Sequence, residues 1–121
     1  MKFIFYAFKA MGWMREYGGG TLKKYKARQY IYRSSAELRC LKVKGLYILD
    51  FCVDVFNRSD ILFAGEIWDI NEIDGLLSDI KHLVIGASIV TISMSYGYSG
   101  TYDDTNRLTK YVVEQFCGWR E

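Results

Sequence analysis

Apolar residues recur at every second position from Leu46 to Phe56, the most strand-like stretch of the chain. Side chains alternate across a strand, so Tyr47, Leu49, Phe51, Val53 and Val55 share one apolar face that must be buried. The opposite face begins with Leu46 and Ile48 and continues with Asp50, Cys52 and Asp54, which marks its far end for water or a partner. A different period follows. Asp69-Ile70-Asn71-Glu72 has the spacing of a helix capping box, and Ile73, Leu76, Leu77 and Ile80 then recur at 3.6-residue spacing. This predicts a helix over about 70–82, with Glu72, Asp74 and Asp79 off its apolar stripe and facing water.

The remaining pattern is shorter. Residues 1–9 read as a first strand, since Lys9 ends the apolar run too soon for a secretion signal. Residues 21–33, with Tyr25, Tyr30 and Tyr32 among basic residues, read as a strand, a helix remaining open. Ser34 to Gly45 admits a helix capped by Ser34 and Glu37, or a hairpin turning at Lys44-Gly45 that sets Arg39 opposite Asp50. The cross-strand charge pair favours the hairpin. Turn chemistry at Asn57-Arg58-Ser59-Asp60 precedes a strand expected over 61–68, with Gly65 as a bulge, and 88–95 is a further strand. Met11 to Gly20 and Tyr96-Gly97-Tyr98-Ser99-Gly100 are glycine-rich loops. A last helix is expected to start near Asp104 or Thr105, bury Leu108, Tyr111, Val112 and Phe116, and close at Gly118. The sum is an α+β fold: one domain over residues 1–121, a mainly antiparallel or mixed sheet, and about two helices.

A chain of 121 residues, half of them apolar and 17% aromatic, is large enough for one hydrophobic core without a metal or other cofactor. The odd count of three cysteines, Cys40, Cys52 and Cys117, matches no metal or haem spacing and predicts buried free thiols in a reducing cytosol. The uncharged run from Leu83 to Tyr102 is broken by glycine, serine and threonine, so no membrane span is expected and the cytoplasm is the expected location.

Charge is arranged in blocks. Residues 1–45 carry eleven Lys or Arg and two acids, a net +9. Residues 46–82 carry two bases and eight acids (Asp50, Asp54, Asp60, Glu66, Asp69, Glu72, Asp74 and Asp79), a net −6. The basic block predicts one function: Lys23, Lys24, Lys26 and Arg28 would bind phosphates while Tyr25 stacks a base. The acidic block predicts another, in which its carboxylates steer a basic protein while Tyr47, Trp68 and the glycine-tyrosine loops anchor it.

Catalytic constellations fail one by one. His82 is the only histidine and stands near a helix end, where it complements the helix dipole. Asp50 and Asp54 would lie about 13 Å apart on a strand rising about 3.3 Å per residue, too far for a carboxylate dyad. Asp54 and Glu66 lack the acid-x-Lys pairing of a metal-dependent nuclease. Gly18-Gly19-Gly20-Thr21-Leu22-Lys23-Lys24 lacks the Gly-Lys-Ser/Thr end of a phosphate loop. The chain reads as a non-enzyme.

In length, single α+β plan and acidic middle segment, the chain resembles the small immunity proteins that neutralise bacterial polymorphic or contact-dependent toxins. The resemblance implies a cytoplasmic inhibitor covering one cognate toxin, a basic nuclease, with Tyr47, Asp50, Asp54, Glu66, Trp68, Asp69, Glu72 and Asp74 as the contact set. A phage-encoded inhibitor of a host enzyme has the same outline.

Overall fold

A long helix between two strands decides the topology. The computed structural model describes residues 2–6, 28–32 and 34–121. The loop expected over Met11 to Gly20 and the basic residues Lys23, Lys24 and Lys26 lie outside them, as does Tyr25. The chain divides into two compact units, Met1–Cys40 and Leu41–Glu121.

In the first unit β1 (Lys2–Tyr6) pairs in parallel with β2 (Arg28–Tyr32), so both terminal runs expected as strands are strands where described. A short helix α1 (Ser35–Arg39) follows, and the Ser34 hydroxyl accepts the Ala36 N–H at 3.2 Å. The favoured hairpin is therefore corrected. Residues 41–47 hold no regular structure, Gly45 stands there at φ +82°, and residues 39–44 form no strand.

The second unit runs β3 (Ile48–Cys52), a 3-10 turn (Val53–Phe56), α2 (Ile70–Gly86), β4 (Ile89–Ser93) and α3 (Tyr102–Arg120). β3 and β4 are parallel, Ile48 opposite Ile89 through Cys52 opposite Ser93. The expected antiparallel sheet is thus replaced by parallel pairs. The reason lies in α2: at about 1.5 Å per residue it travels about 25 Å, so the next strand re-enters the sheet in the original direction. The neighbour expected at 61–68 is a loop, whose one β-type pairing among the described residues is an isolated antiparallel bridge between Asn57 and Ile67. Three α-helices stand among the described residues where two were expected.

Alternation holds only through Cys52. Phe51 is buried and Ile48 and Asp50 are exposed as the pattern demands, but the 3-10 turn then brings Val53 and Phe56, three apart, onto one fully buried side. Phe51 packs on Phe56 and edge-on against Phe116 of α3, with centroids 5.8 and 5.2 Å apart. From α2 the core takes Ile73, Leu76, Leu77, Ile80, Leu83 and Val84; from α3 it takes Leu108, Val112 and Phe116.

Both helix starts carry full capping boxes. Asp69 and Glu72 exchange bonds at the head of α2, as predicted, and Thr101 and Asp104 do so on α3, which starts earlier than expected and runs through Gly118. Arg120 closes the other end of α2 by donating to the carbonyls of Val84 and Ala87 at 2.7 and 2.8 Å. Asp79, expected in water, is buried, because it lies three residues after Leu76 and four before Leu83 on the helix. The cysteines are free as expected, but Cys40 and Cys117 are exposed and Cys52 is half-buried.

Candidate functional site

The acids expected to meet a partner are dispersed, and most are engaged within the chain. Asp69 and Glu72 form the α2 cap, and Glu72 also receives both guanidinium nitrogens of Arg58, at 2.7 and 3.3 Å. The same Arg58 lies 5.2 Å over the half-buried Trp68 ring. Asp74 accepts the hydroxyl of Tyr111, a bond that raises the tyrosine's pKa. Asp50 is exposed on β3 and accepts from Thr91 at 2.5 Å. Asp54 sits half-buried in the 3-10 turn, where burial holds its carboxyl above the ordinary range against two backbone N–H bonds. Beside it, the Cys52 thiol is pushed up by burial and then by the carboxylates of Asp54 and Asp50, so it is no activated nucleophile.

Tyr47 and Trp68 do not converge. Tyr47 donates its hydroxyl to the Leu83 carbonyl at 2.8 Å, near the end of α2, whereas Trp68 precedes its start. Asp69 and Leu83 are 14 residues apart, or about 21 Å of helix. His82, short of the helix end, sets its Nε2 2.8 Å from the Leu41 carbonyl. Of the basic alternative, Arg28 opens β2, and the other members lie outside the described residues. Among the described residues, no group of three His, Cys, Asp or Glu could hold a metal ion.

What the fold does bring together is a surface of two loops, 57–68 and 94–101, beside the first turn of α3. Its fastening is Asn57, which is buried and uses its amide fully. Nδ2 donates to the carbonyls of Ala64 and Tyr98 at 3.0 and 2.9 Å, and Oδ1 accepts the N–H groups of Ser59 and Glu66 at 3.1 and 2.9 Å. The Phe63 N–H adds a bond of 2.8 Å to the Gly97 carbonyl. Phe63 and Ser95 hold φ at +58° and +49°, a left-handed backbone that costs a side-chain-bearing residue energy and persists where surroundings enforce it. Gly97 holds φ at +89°, a backbone that favours glycine, and a Cβ there would stand 3.3 Å from a Leu62 methyl.

On this frame Ile61, Leu62, Phe63, Tyr96, Tyr98 and Tyr102 stand exposed, Tyr98 and Tyr102 by 64% and 61%. Tyr102 touches Phe63 and Tyr96, with centroids 5.1 and 5.6 Å apart, and Tyr96 bonds Asn106 at 3.1 Å. Farther along α3 a cavity of about 270 Å³ opens beside Trp68, lined by Ile67, Ile70, Ile73, Arg107, Leu108 and Tyr111. It is small for a metabolite and suits one side chain. These large apolar groups, exposed together on two hydrogen-bonded loops, make this surface the candidate site.

The glycine-tyrosine loop expected from sequence lies on this exposed surface, whereas Asn57, Ile61, Leu62, Phe63 and Tyr102 were not among the expected contact residues. Their signal is turn chemistry followed at once by an apolar triad, which also describes a strand. Compared with family models, curated proteins and solved structures, the chain matches none.

Proposed function

We propose that this chain is a non-enzymatic recognition protein that binds a basic partner protein and neutralises it by covering it, the partner being a toxin with nuclease activity. The loop surface carries the reading. It joins exposed aromatic anchors to a backbone already fixed by Asn57, so little ordering entropy is lost on docking. Segments 57–68 and 94–104 hold four acids and one base, Arg58, and Glu72 occupies that base. A basic surface is therefore steered in, and an anionic one is repelled. The contact set expected from sequence shifts accordingly: Glu66 stays at the surface, Trp68 borders the side-chain cavity, and Asp69, Glu72 and Asp74 act first in the fold.

Affinity capture from the native host, with the full chain and with a Tyr98→Ala/Tyr102→Ala variant, tests this. The expected result is one stoichiometric protein retained by the native chain and lost by the variant, whose nuclease activity falls to zero at a 1:1 ratio. Recovery of nucleic acid, of no stoichiometric protein, or of a partner whose activity is untouched would overturn the reading.

A further inference from the structure

We infer that the partner segment meeting this surface presents arginine, whose guanidinium stacks on the exposed rings of Tyr98 and Tyr102 beside Asp103. The inference rests on the protein-binding reading above and names the chemistry it recognises.

Three observations carry it. Tyr102 is the middle member of a three-ring contact with Phe63 and Tyr96 and still exposes 61% of its surface, so a partner can reach it. Ring faces are electron-rich and attract cations. Carboxylates edge the same surface: Glu66 lies in the loop of Ile61, Leu62 and Phe63, and Asp103 follows Tyr102, both exposed. A purely aliphatic partner would strip water from these carboxylates without replacing it, and a phosphate-bearing partner would be repelled.

The third observation is internal. Arg58 already lies between an aromatic face and a carboxylate, 5.2 Å from the Trp68 centroid and 2.7 Å from Glu72. The loop surface offers the same two elements to a guanidinium from outside. Arginine fits better than lysine because its planar, weakly hydrated group stacks on a ring while its edge donates to a carboxylate. A lysine ammonium keeps its water and reads charge alone.

The test titrates the full chain, at low ionic strength, with a capped glycine-spaced arginine peptide and its lysine and citrulline counterparts, following aromatic resonances by NMR. The arginine peptide is expected to shift Phe63, Tyr98 and Tyr102. The lysine peptide should bind about two- to fivefold more weakly, and citrulline, planar but neutral, more weakly still. The Tyr98→Ala/Tyr102→Ala variant should bind arginine and lysine alike. Equal affinity for lysine in the native chain, shifts confined to other residues, or no shift would overturn the inference. If a partner is captured through Tyr98 and Tyr102 yet the arginine peptide does not compete, arginine recognition fails and the protein-binding reading stands. If no partner is captured, that reading itself fails.

Discussion

The Asn57 side chain donates to the Tyr98 carbonyl at 2.9 Å across 41 residues of sequence, and so fastens one loop of the exposed aromatic surface to the other. The same amide also closes its own loop through Ala64, Ser59 and Glu66. Two substitutions separate its roles. Asn57→Asp keeps both accepted bonds but sets a buried carboxylate against two carbonyls, whereas Asn57→Ala removes all four. Each is expected to cost at least about 2 kcal/mol in a urea melt, since a buried polar group left unpaired costs about 1–3 kcal/mol. Amide exchange tells them apart: the Ser59 and Glu66 N–H groups should lose protection in the alanine variant and largely keep it in the aspartate one. A native-like melt for Asn57→Ala would remove Asn57 as the fastening.

Phe51 joins the sheet to α3. It is buried, 5.2 Å from Phe116 and 5.8 Å from Phe56. Phe51→Ala should therefore cost about 3–5 kcal/mol, the usual loss for a large buried ring. An unchanged urea midpoint at unchanged slope would take Phe51 out of the core.

Exposure alone would make charge reversal at Asp69, Glu72 and Asp74 harmless to the fold. Their partners say otherwise, because the changes break the α2 capping box, the Arg58 pair and the Tyr111 bond. Asp69→Ala should cost about 1 kcal/mol, as loss of an N-cap does, and the triple reversal should lower the urea midpoint further. If the triple variant melts like the native chain, the cap does not support the helix.

How far the fold is legible depends on whether its causes are local. α2 is legible because its stripe and its cap, Asp69 and Glu72, lie within a few residues of one another. The direction of β4 is not, because a strand's apolar pattern is the same in either direction, and only the crossover by α2 sets it. Ile61, Leu62 and Phe63 read as a strand because they are apolar and follow a turn. What keeps them in a loop is non-local: the Asn57 amide, the Gly97 carbonyl and a left-handed Phe63. Asp79 illustrates the edge of periodicity, one helical step from a buried leucine row. The acids of the candidate site were legible as residues, yet their intramolecular partners, Arg58, Thr91 and Tyr111, appear only once the chain is folded.

Asp54 gives the fold a pH dependence whose direction follows from its surroundings. Burial raises its carboxyl above the ordinary aspartate range, the backbone N–H groups of Asp54 and Val55 opposing only in part. The folded chain therefore holds this proton more tightly than the unfolded chain does. Its stabilising effect is complete below the unfolded pKa and is lost as pH rises through the raised folded value. At neutral pH the ionised group is thus a liability, and Asp54→Asn is expected to abolish that step in a series of urea melts from acid to neutral pH. The substitution has a second consequence, because the Asp54 charge is among the causes that hold up the neighbouring Cys52 thiol, after burial itself. Asp54→Asn should let Cys52 ionise at lower pH and alkylate faster with iodoacetamide. Peptide mass spectrometry distinguishes it from the exposed Cys40 and Cys117. An identical pH profile and an identical Cys52 rate in the variant would show that Asp54 feels neither burial nor its neighbour.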